Sequence, residues 1–600
     1  MTLNMKNLIY IIAIFFAGAV TSCSKDYLDA PTKSSLDESV IFANVDLAKS
    51  AVDGIKIDFG ETNSYRGRFL PWYGMNTDIE WYNNSDKYPD GKADLCVYAA
   101  TPTNSQMNDT KNAWAKMYEG IERANMCIKG IRAYGNPQPG NDMGQLLGEA
   151  LTLRAVYYSD LVKAWGDVPA RFEPITTATL YLPRVSRDSI LKHLIADLGE
   201  AETLVAWPNA TSATSDVEHI NKAFVKGFRA RLCMEAAGYY EHADGSVGRS
   251  SDPDLSVDKM YPIALQECQD VINSGTCQLE PSFETVFKKN CQDNINAGGE
   301  SLWEIPFADG RGRMLFTFAV PHKSVDQFTS QARGGQAGPL PYMYYDYNSQ
   351  DTRRDVSCVP YYWGVANKEG IAQQEPSGID TWYFGKYRYE WMNRIVTSTN
   401  DDGVNKIYMR YAEVVLMAAE AANELDGPSA AAPYLKMIRE RAFPESDWST
   451  EVDDYINNLT TKETMFNAIV KENKLEFCGE MLRKEQLIRW NLLKTELDSA
   501  KIKMNELANR TGEYADVPSK LYYGYESDGV TLKMYGLNRG ETADKSSDYA
   551  YSTTWADPTQ LTDTKINSIY AQDPDQYQFW PIWQVFIDAS NGQLKNEYAY

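Results

Sequence analysis

The sequence predicts a predominantly α-helical protein, in which helix pairs form a tetratricopeptide-like scaffold and an irregular, loop-rich lobe contains short β-strands. Three observations support this prediction. Apolar residues recur at helical spacing through most of residues 109–272. Residues 277–405 are instead rich in glycine, proline and tyrosine. Helical periodicity returns between residues 407 and 493, before a second irregular and tyrosine-rich segment at 509–575.

The first helical region is predicted to contain five helices. The first two cover residues 109–134 and 142–165, and glycine and proline residues follow each of them as stop signals. The other three fit residues 186–203, 221–240 and 261–272. Antiparallel helix pairs at this spacing are typical of helical-repeat solenoids, although the sequence has no clean repeat of about 34 residues.

The middle of the chain is predicted to form loops and isolated strands, of which residues 301–305 (SLWEI) are the clearest. Further helices are predicted at residues 407–425, 431–441 and 461–493. Long ordered loops on a rigid scaffold commonly carry binding sites. We therefore expect ligand binding in the irregular segments and a structural role for the helices.

The N-terminus is predicted to be a signal peptide that covers residues 1–22. A basic Lys6 precedes an apolar run at residues 8–20, which is too short to span the roughly 30 Å hydrocarbon core of a bilayer. Small residues then lead directly into Cys23, an arrangement that resembles a bacterial lipobox. We expect cleavage before Cys23 and lipidation of its thiol and new amino group, with the polar residues 24–36 as a tether.

Charge and composition exclude several classes of protein. The formal net charge of −23 argues against nucleic acid as a partner, because such a partner requires a basic face. The four histidines form no metal-ligand pattern and no CxxC pair is present, so we expect no metal and no cofactor. Eight cysteines follow Cys23, and in a chain of this length we expect mostly free thiols.

Charged residues on the C-terminal helices could suggest an active site. Glu413 and Glu420 share one helix face, as do Glu476 and Glu480, and arginines such as Arg410 lie close in sequence. A glycosidase would use such a carboxylate pair for acid–base catalysis. Arginines at this density would instead keep both carboxylates ionised, which does not suit a general acid. We therefore predict a structural ion network and no catalytic residues.

Aromatic residues outside the helices are the predicted binding residues. Sugar rings lie flat on indole and phenol rings, while their hydroxyls bond to carboxylate and amide groups nearby. Residues 71–84 contain both ingredients, and the irregular middle provides more rings. The predicted glycan-binding residues are Trp72, Asp78, Glu80, Trp81, Tyr82, Asn83, Tyr361, Trp363 and Trp382. The alternative is that these rings fill the cores of their loops.

Several motifs resemble the SusD/RagB-like outer-membrane lipoproteins, in the order that this family has them. They are the start of the mature chain at 23–31, the helix 114–125, LRAVYYSDLVKAWGDVP at 153–169, RYAEVVLMAAEA at 410–421, the ER-A motif at 439–442, the helix 476–490 and the tail 581–600. The chain departs from the family pattern at Asn473, Met481, Gln486 and Phe586, and at Glu597 and Ala599 near its end.

The resemblance implies a SusD-like fold with two regions, an N-terminal one at 23–240 and a C-terminal one at 241–600. It also implies a non-enzymatic lipoprotein at the cell surface that captures oligosaccharides. The expected partners are the glycan, the outer membrane and a SusC-like TonB-dependent transporter. Some relatives handle peptides, so a peptide ligand is the alternative. A surface glycosidase is the third possibility, and the absence of a plausible catalytic pair counts against it.

Overall fold

The computed structural model describes residues 37–398 and 402–600, and helices dominate both ranges. The predicted helical fold class is confirmed. The predicted signal peptide and the lipidation site Cys23 lie outside the described residues. Within the two described ranges, no helix is both long enough and apolar enough to cross a membrane.

Eleven helices of nine or more residues occur in the described ranges: α1 Val45–Asp53, α2 Ala113–Gly130, α3 Asp142–Trp165, α4 Arg187–Leu204, α5 Lys222–Ala236, α6 Val257–Ser274, α7 Phe283–Cys291, α8 Tyr411–Asp426, α9 Pro428–Ala442, α10 Lys462–Glu476 and α11 Leu493–Asn509. Shorter α-helices are Glu38–Ala43, Ala93–Cys96, Met314–Phe318, Met343–Asp346, Arg354–Ser357, Tyr455–Asn457, Arg483–Arg489, Asp563–Asn567 and Gln584–Ala589.

The long helices pack as neighbours in chain order. Helices α2 to α6 each contact the next, α6 then contacts α8, and α8 contacts α9. Asparagines begin three of these helices: the side chains of Asn112, Asn141 and Asn221 accept hydrogen bonds from backbone N–H groups of the first turn. This packing of each helix on its neighbour is the tetratricopeptide-like arrangement that the sequence predicts.

The short strands are β1 Glu80–Tyr82, β2 Tyr239–Glu241, β3 Val247–Arg249, β4 Ser301–Ile305, β5 Ala337–Pro339, β6 Tyr361–Trp363, β7 Gln374–Pro376, β8 Lys406–Arg410, β9 Lys520–Tyr525, β10 Leu532–Tyr535 and β11 Tyr551–Thr554. They form antiparallel pairs β1–β5, β2–β3, β4–β8 and β6–β7, and a three-stranded sheet in the order β10-β9-β11.

Two helix predictions need correction. The helix predicted at 407–425 begins only at Tyr411, because Lys406–Arg410 pairs with β4 as a strand. The helix predicted at 461–493 is interrupted after Glu476, and Gly479 and Met481 have positive φ angles of 88° and 63° in the break. This break turns Glu480 towards Arg410, so tertiary ion pairing overrides the helical pattern there.

The tail of the chain packs on the N-terminal helices. Trp165 donates from its indole Nε1 to the carbonyl of Pro581 at 3.1 Å, and Trp580 and Trp583 lie against the Trp165 ring. One hydrophobic cluster contains buried residues from Phe42 through Trp583. The boundary at residue 240 therefore stays a prediction, since both regions contribute to the same core. All eight cysteines of the described ranges are buried free thiols.

Candidate functional site

Arg410 is the centre of a buried ion network. It ends β8 with 1% of its surface exposed, and its guanidinium donates to carboxylates at 2.6–2.9 Å. The network consists of Arg353, Lys386, Arg410 and Arg441 with Glu300, Glu472, Glu476 and Glu480. It joins β4, β8, α9 and the break after α10, so its role is to hold these elements together.

The carboxylates of Glu476 and Glu480 in this network remain ionised. Burial alone would raise the pKa of Glu480, but Arg410 and Lys386 outweigh it and lower that pKa to about 2. Burial would also raise the pKa of Glu476, yet three surrounding arginines hold it well below its usual range. A general acid needs a raised pKa, so this pair cannot supply one. The predicted structural role of these charges agrees with this geometry.

Glu413 and Glu420, the other two glutamates that were considered as catalytic candidates, are also paired with arginines. Glu413 accepts from Arg231 at 2.7 and 2.6 Å, with both side chains buried. Glu420 binds Arg489 and accepts hydrogen bonds from Tyr261 and from the indole of Trp490. Neither carboxylate is free to act on a substrate in this structure.

The prediction that Trp72, Trp81 and Tyr82 form an exposed binding face is wrong for this structure. They are 4%, 0% and 5% exposed, and Trp72 and Tyr82 meet edge to face at 5.1 Å. The Trp81 ring packs inside the core below the ammonium group of Lys565, 4.8 Å from its centroid. The loop-core alternative agrees with this burial, because the three rings pack against neighbouring side chains.

The polar residues of the same segment are likewise buried. Asp78 forms two hydrogen bonds of 2.8 Å with Arg483 and is a structural ion-pair partner. Glu80 accepts from the backbone N–H of Gly479 at 2.7 Å, and burial raises its pKa to about 8. Asn83 donates to the carbonyls of Gly335 and Trp382. Their predicted role as partners of sugar hydroxyls does not fit this burial.

The three predicted residues of the middle segment separate into two groups. Trp382 is 0% exposed and lies between Tyr344 and Trp555 in the core. Trp363 is 4% exposed and donates to Glu390 at 2.7 Å, so neither indole offers a surface. Tyr361 is half-buried, and its hydroxyl accepts a hydrogen bond from Arg388 at 2.6 Å. Of the nine predicted ligand residues, Tyr361 alone has more than a tenth of its surface in contact with solvent.

Four other tyrosines form a partly exposed aromatic surface. Tyr523 and Tyr525 share one face of β9, because side chains alternate along a strand. Tyr551 of β11 lies opposite Tyr523, and the two rings stack with centroids 5.2 Å apart. Tyr362 on β6 approaches from the neighbouring hairpin. Tyr362, Tyr523, Tyr525 and Tyr551 are called the tyrosine surface below.

Electrostatic contacts connect Tyr362 to the sheet. Burial raises the pKa of Tyr362 to about 12, together with its hydrogen bond to Glu375 and the nearby hydroxyls of Tyr523 and Tyr525. The bond from the Tyr362 hydroxyl to Glu375 measures 2.8 Å. The tyrosine surface therefore has the Glu375 carboxylate bonded to one of its rings, and aromatic rings beside a fixed carboxylate suit a polyhydroxylated ligand.

A cavity of about 580 Å³ opens beside this surface. Four of its ten lining residues are basic, and none is Asp or Glu. The walls come from the segments 313–323 and 332–336, with Lys92 opposite. Gly334 has a φ of 112°, and a Cβ there would lie 2.8 Å from the Cα of Pro321, so only glycine fits this wall. Lys92, Arg313, Lys323 and Arg333 with Phe316 and His322 define the basic cavity.

Lys323 joins the basic cavity to the tyrosine surface. It lines the cavity, and its ammonium group lies 4.8 Å from the centroid of the Tyr362 ring. The two features thus form one continuous surface of the loop-rich lobe. A ligand that spans several sugar units could contact the rings and the cavity at once.

The predicted aromatic residues support this surface from below. Trp72 lies under Lys92, whose ammonium group is 5.5 Å from the ring centroid. Trp363 lies almost parallel to His322 with centroids 5.8 Å apart, and Asn83 holds the backbone of Gly335 in place. The sequence predicted these residues as ligand contacts, whereas in the structure they contact residues that line the cavity. The missed signal was the pair of alternating tyrosines at 523 and 525, which lie in the tyrosine-rich segment 509–575, where no individual ligand residue was predicted.

Within the described residues, no group of three or more His, Cys, Asp or Glu side chains is arranged to hold a metal ion.

Comparisons with known proteins agree over nearly the whole chain. A family model described as "SusD family" matches residues 284–600, and a second, "Starch-binding associating with outer membrane", matches residues 26–233. SusD-like protein P25 of Formosa agariphila is 24% identical over 515 residues, which cover 80% of this chain and 90% of that protein. SusD-like protein P38 of the same organism is 25% identical over 500 residues, with 81% and 92% covered.

Solved structures show the same fold. A SusD homolog from Bacteroides thetaiotaomicron superposes with a TM-score of 0.73 at 16% identity, over 95% of this chain and 99% of that chain. Surface glycan-binding protein A from the same organism, solved in complex with laminarihexaose, gives 0.59 at 18% identity, over 92% and 99%. Because these sequence identities are low, the two solved structures support an inference about the fold alone. Because the first family model spans more than half of the sequence, the protein belongs to the SusD family.

Proposed function

We propose that this protein binds a glycan at the tyrosine surface and the adjoining basic cavity. The observation that carries the proposal is the row of partly exposed tyrosines beside an open cavity of about 580 Å³. Phenol rings stack on the flat C–H faces of sugars, while Glu375 and Lys323 offer an acceptor and a donor for hydroxyl groups. A relative with the same fold has been solved with a bound oligosaccharide, laminarihexaose.

The protein acts at the outer membrane as a lipoprotein without enzymatic activity. Acyl chains on Cys23 anchor it, residues 24–36 hold the folded body off the membrane, and the bound glycan passes to a SusC-like TonB-dependent transporter. The description of the N-terminal family model, which names association with the outer membrane, supports this location. Replacing Cys23 with alanine should release the protein, and a variant that stays in the membrane fraction after a carbonate wash would contradict the anchor.

The binding proposal is tested by titrating the purified mature protein with plant, fungal and host glycans in a calorimeter. We expect saturable binding of at least one glycan without release of reducing ends or unsaturated products. Turnover that is abolished by Glu413→Gln or Glu480→Gln would contradict the structural role of those carboxylates. Absence of binding to every glycan would contradict the proposed function itself.

A peptide is the second candidate ligand, and one observation favours it. Strand β11 lies at the edge of its sheet, all four of its residues are exposed, and no strand of the described ranges pairs with its outer side. An extended peptide could add to this edge through backbone hydrogen bonds. Titration with a set of mixed peptides separates the two cases, because peptide binding without glycan binding would favour this candidate.

A further inference from the structure

The lining of the basic cavity is opposite in charge to the rest of the chain. The protein carries a formal net charge of −23, yet the cavity lining contains four basic residues and no acidic one. A concave, like-charged lining concentrates ions of the opposite sign, and this raises both the encounter rate and the affinity for a charged ligand. The cavity is therefore suited to negative groups, although the whole molecule repels them at long range.

The lysines and arginines of the cavity have no carboxylate partners, unlike His322, whose ring nitrogen Nδ1 lies 2.6 Å from Asp326. Among the described residues, Lys92, Arg313, Lys323 and Arg333 form no ion pair, and Arg333 has one hydrogen bond, to a carbonyl 2.9 Å away. The Nε atom of Arg313 is buried without any hydrogen-bond partner. A buried donor without a partner costs free energy, so the protein itself does not fully satisfy the Arg313 guanidinium.

The surroundings of Arg313 are dominated by like charges. Burial lowers the pKa of Arg313 to about 10, and the neighbouring Arg66, Arg68 and Arg333 act in the same direction. Asp402 opposes them, but backbone N–H groups at Leu315 and Val404 already bind its oxygens. Arg313 stays protonated at neutral pH, and the repulsion between these guanidinium groups would fall when an anion binds between them.

Two of the arginines lie close to the ring of Phe316. The guanidinium of Arg313 lies 4.0 Å from the centroid of this ring and that of Arg333 lies 6.0 Å away, so both form cation–π contacts with it. A guanidinium can bind two oxygens of one carboxylate or sulfate group through two parallel N–H donors. A lysine ammonium group does not offer this paired geometry.

We propose that the glycan bound by this protein is acidic, with carboxylate or sulfate substituents that enter the basic cavity while neutral sugar rings lie on the tyrosine surface. The inference rests on the proposed glycan-binding function and specifies the class of glycan. The four unpaired basic side chains, the absence of acidic lining residues and the continuity through Lys323 carry it. Uronic acids and sulfated sugars share this chemistry.

The experiment uses the mature protein and matched pairs of polysaccharides. Polygalacturonate is compared with its fully methyl-esterified form, and a sulfated galactan is compared with its desulfated form, alongside neutral β-glucan and poly-L-glutamate. The pairs separate carboxylate from sulfate as the recognised group. The protein variants are Arg313→Gln/Arg333→Gln and, as a control, Arg510→Gln, which removes an exposed arginine that does not line the cavity. Affinity is measured at low and high salt, and melting temperatures confirm that the variants fold.

We expect one charged member of a pair to bind at least tenfold more tightly than its neutral form. High salt should weaken this binding, because exposed charges are screened. The double variant should lose at least tenfold in affinity at an unchanged melting temperature, while Arg510→Gln stays within twofold. If the double variant fails to fold, Lys323→Gln, which changes an exposed side chain, should still weaken binding of the charged polysaccharide.

Three outcomes would overturn the proposal. Binding of neutral glycans only would contradict the proposal that the glycan is acidic and would leave the glycan-binding function intact. Binding of an acidic polysaccharide with full affinity in the folded double variant or in Lys323→Gln would exclude the basic cavity as its site. Binding of poly-L-glutamate through the same arginines, with no polysaccharide bound, would replace the glycan with an acidic peptide and contradict the proposed function as well.

Discussion

The ion network around Arg410 and the basic cavity around Arg313 are both built from arginines, but their surroundings differ. Arg410 donates to three carboxylates and is 1% exposed. Arg313 lies at an open cavity, and no acidic residue lines that cavity. A buried charge with partners holds elements of the fold together, whereas unpaired charges at a cavity remain available to a ligand. Whether a charged side chain has a partner therefore distinguishes structural from binding residues better than its residue type does.

Removing the paired arginine should have the largest effect. Arg410→Gln removes one cationic partner from each of three buried carboxylates, and breaking a buried ion pair costs about 3–5 kcal/mol. We expect loss of folded protein, or a decrease of at least that size in the free energy of unfolding measured with urea. Lys436→Ala, which removes an exposed ion pair with Asp453, is the control and should change this free energy little. Equal decreases in the free energy of unfolding for the two variants would contradict a structural role for the buried ion network.

Trp81→Ala should have the next largest effect. This indole is fully buried, and truncating a buried tryptophan costs about 3–5 kcal/mol because it leaves a cavity. The melting temperature should fall, while the fraction of protein that remains folded should bind glycan with the affinity of the unchanged protein. A weaker affinity at an unchanged melting temperature would restore Trp81 to the binding site.

Tyr551→Ala tests an exposed ring of the tyrosine surface. This ring is 52% exposed, so its removal should change the free energy of unfolding by about 0.5 kcal/mol or less. Stacking on an aromatic ring contributes roughly 1–3 kcal/mol by analogy with nucleic-acid bases, so glycan affinity should fall about five- to a hundredfold. Tyr134→Ala, which removes a similarly exposed ring in the turn that follows α2, is the control. Calorimetric titration of all three proteins gives the result, and an unchanged affinity for Tyr551→Ala would exclude this ring.

Two buried carboxylates, Glu80 and Glu480, also differ in whether they have cationic partners. The expected effect on the free energy of unfolding is smaller than for the changes above. Burial raises the pKa of Glu80 to about 8, whereas Arg410 and Lys386 lower that of Glu480 to about 2 against the opposing effect of burial. Between its usual pKa of 4.5 and about 8, the unfolded chain releases a proton from Glu80 that the folded chain keeps. This contribution to stability is therefore complete below pH 4.5 and is lost as the pH rises to 8.

For this reason the free energy of unfolding should fall between pH 6 and 7 by at most about 1.4 kcal/mol from this group. Glu80→Gln should remove that decrease, and Glu369→Gln, which changes an exposed glutamate, should retain it. Urea unfolding at the two pH values measures both. Identical pH dependence in the unchanged protein and in Glu80→Gln would show that the carboxyl group is ionised in the folded state.

The sequence predicted much of the scaffold because helical periodicity and stop signals are local. The helix expected at residues 142–165 has those bounds in the structure, and residues 301–305 form a strand. The prediction of a structural role for the charged helix residues also succeeded, since arginines and glutamates at matched density indicate pairing. The start of α8 was predicted too early, because the strand before it exists only through its pairing with β4.

The candidate site was predicted less well, for a physical reason. An aromatic loop residue can be a binding surface or a loop core, and only the packing of distant segments decides which. Segment 71–84 is buried through contacts with distant residues, such as Asp78 with Arg483 and Trp81 with Lys565. Tyr551 is 52% exposed, although its ring stacks on Tyr523. Neither outcome is encoded in the local composition.

The sequence by itself determined the family, the helical architecture and the division between scaffold and irregular lobe, because these depend on local periodicity and on motifs of adjacent residues. Tertiary structure alone decided which rings and which charges meet solvent. Lys92 is more than 200 residues from Arg313 and Arg333 in the chain, and folding brings all three to one cavity whose lining has no acidic residue. Burial and pairing are properties of contacts between distant segments, so they appear only when the chain is folded.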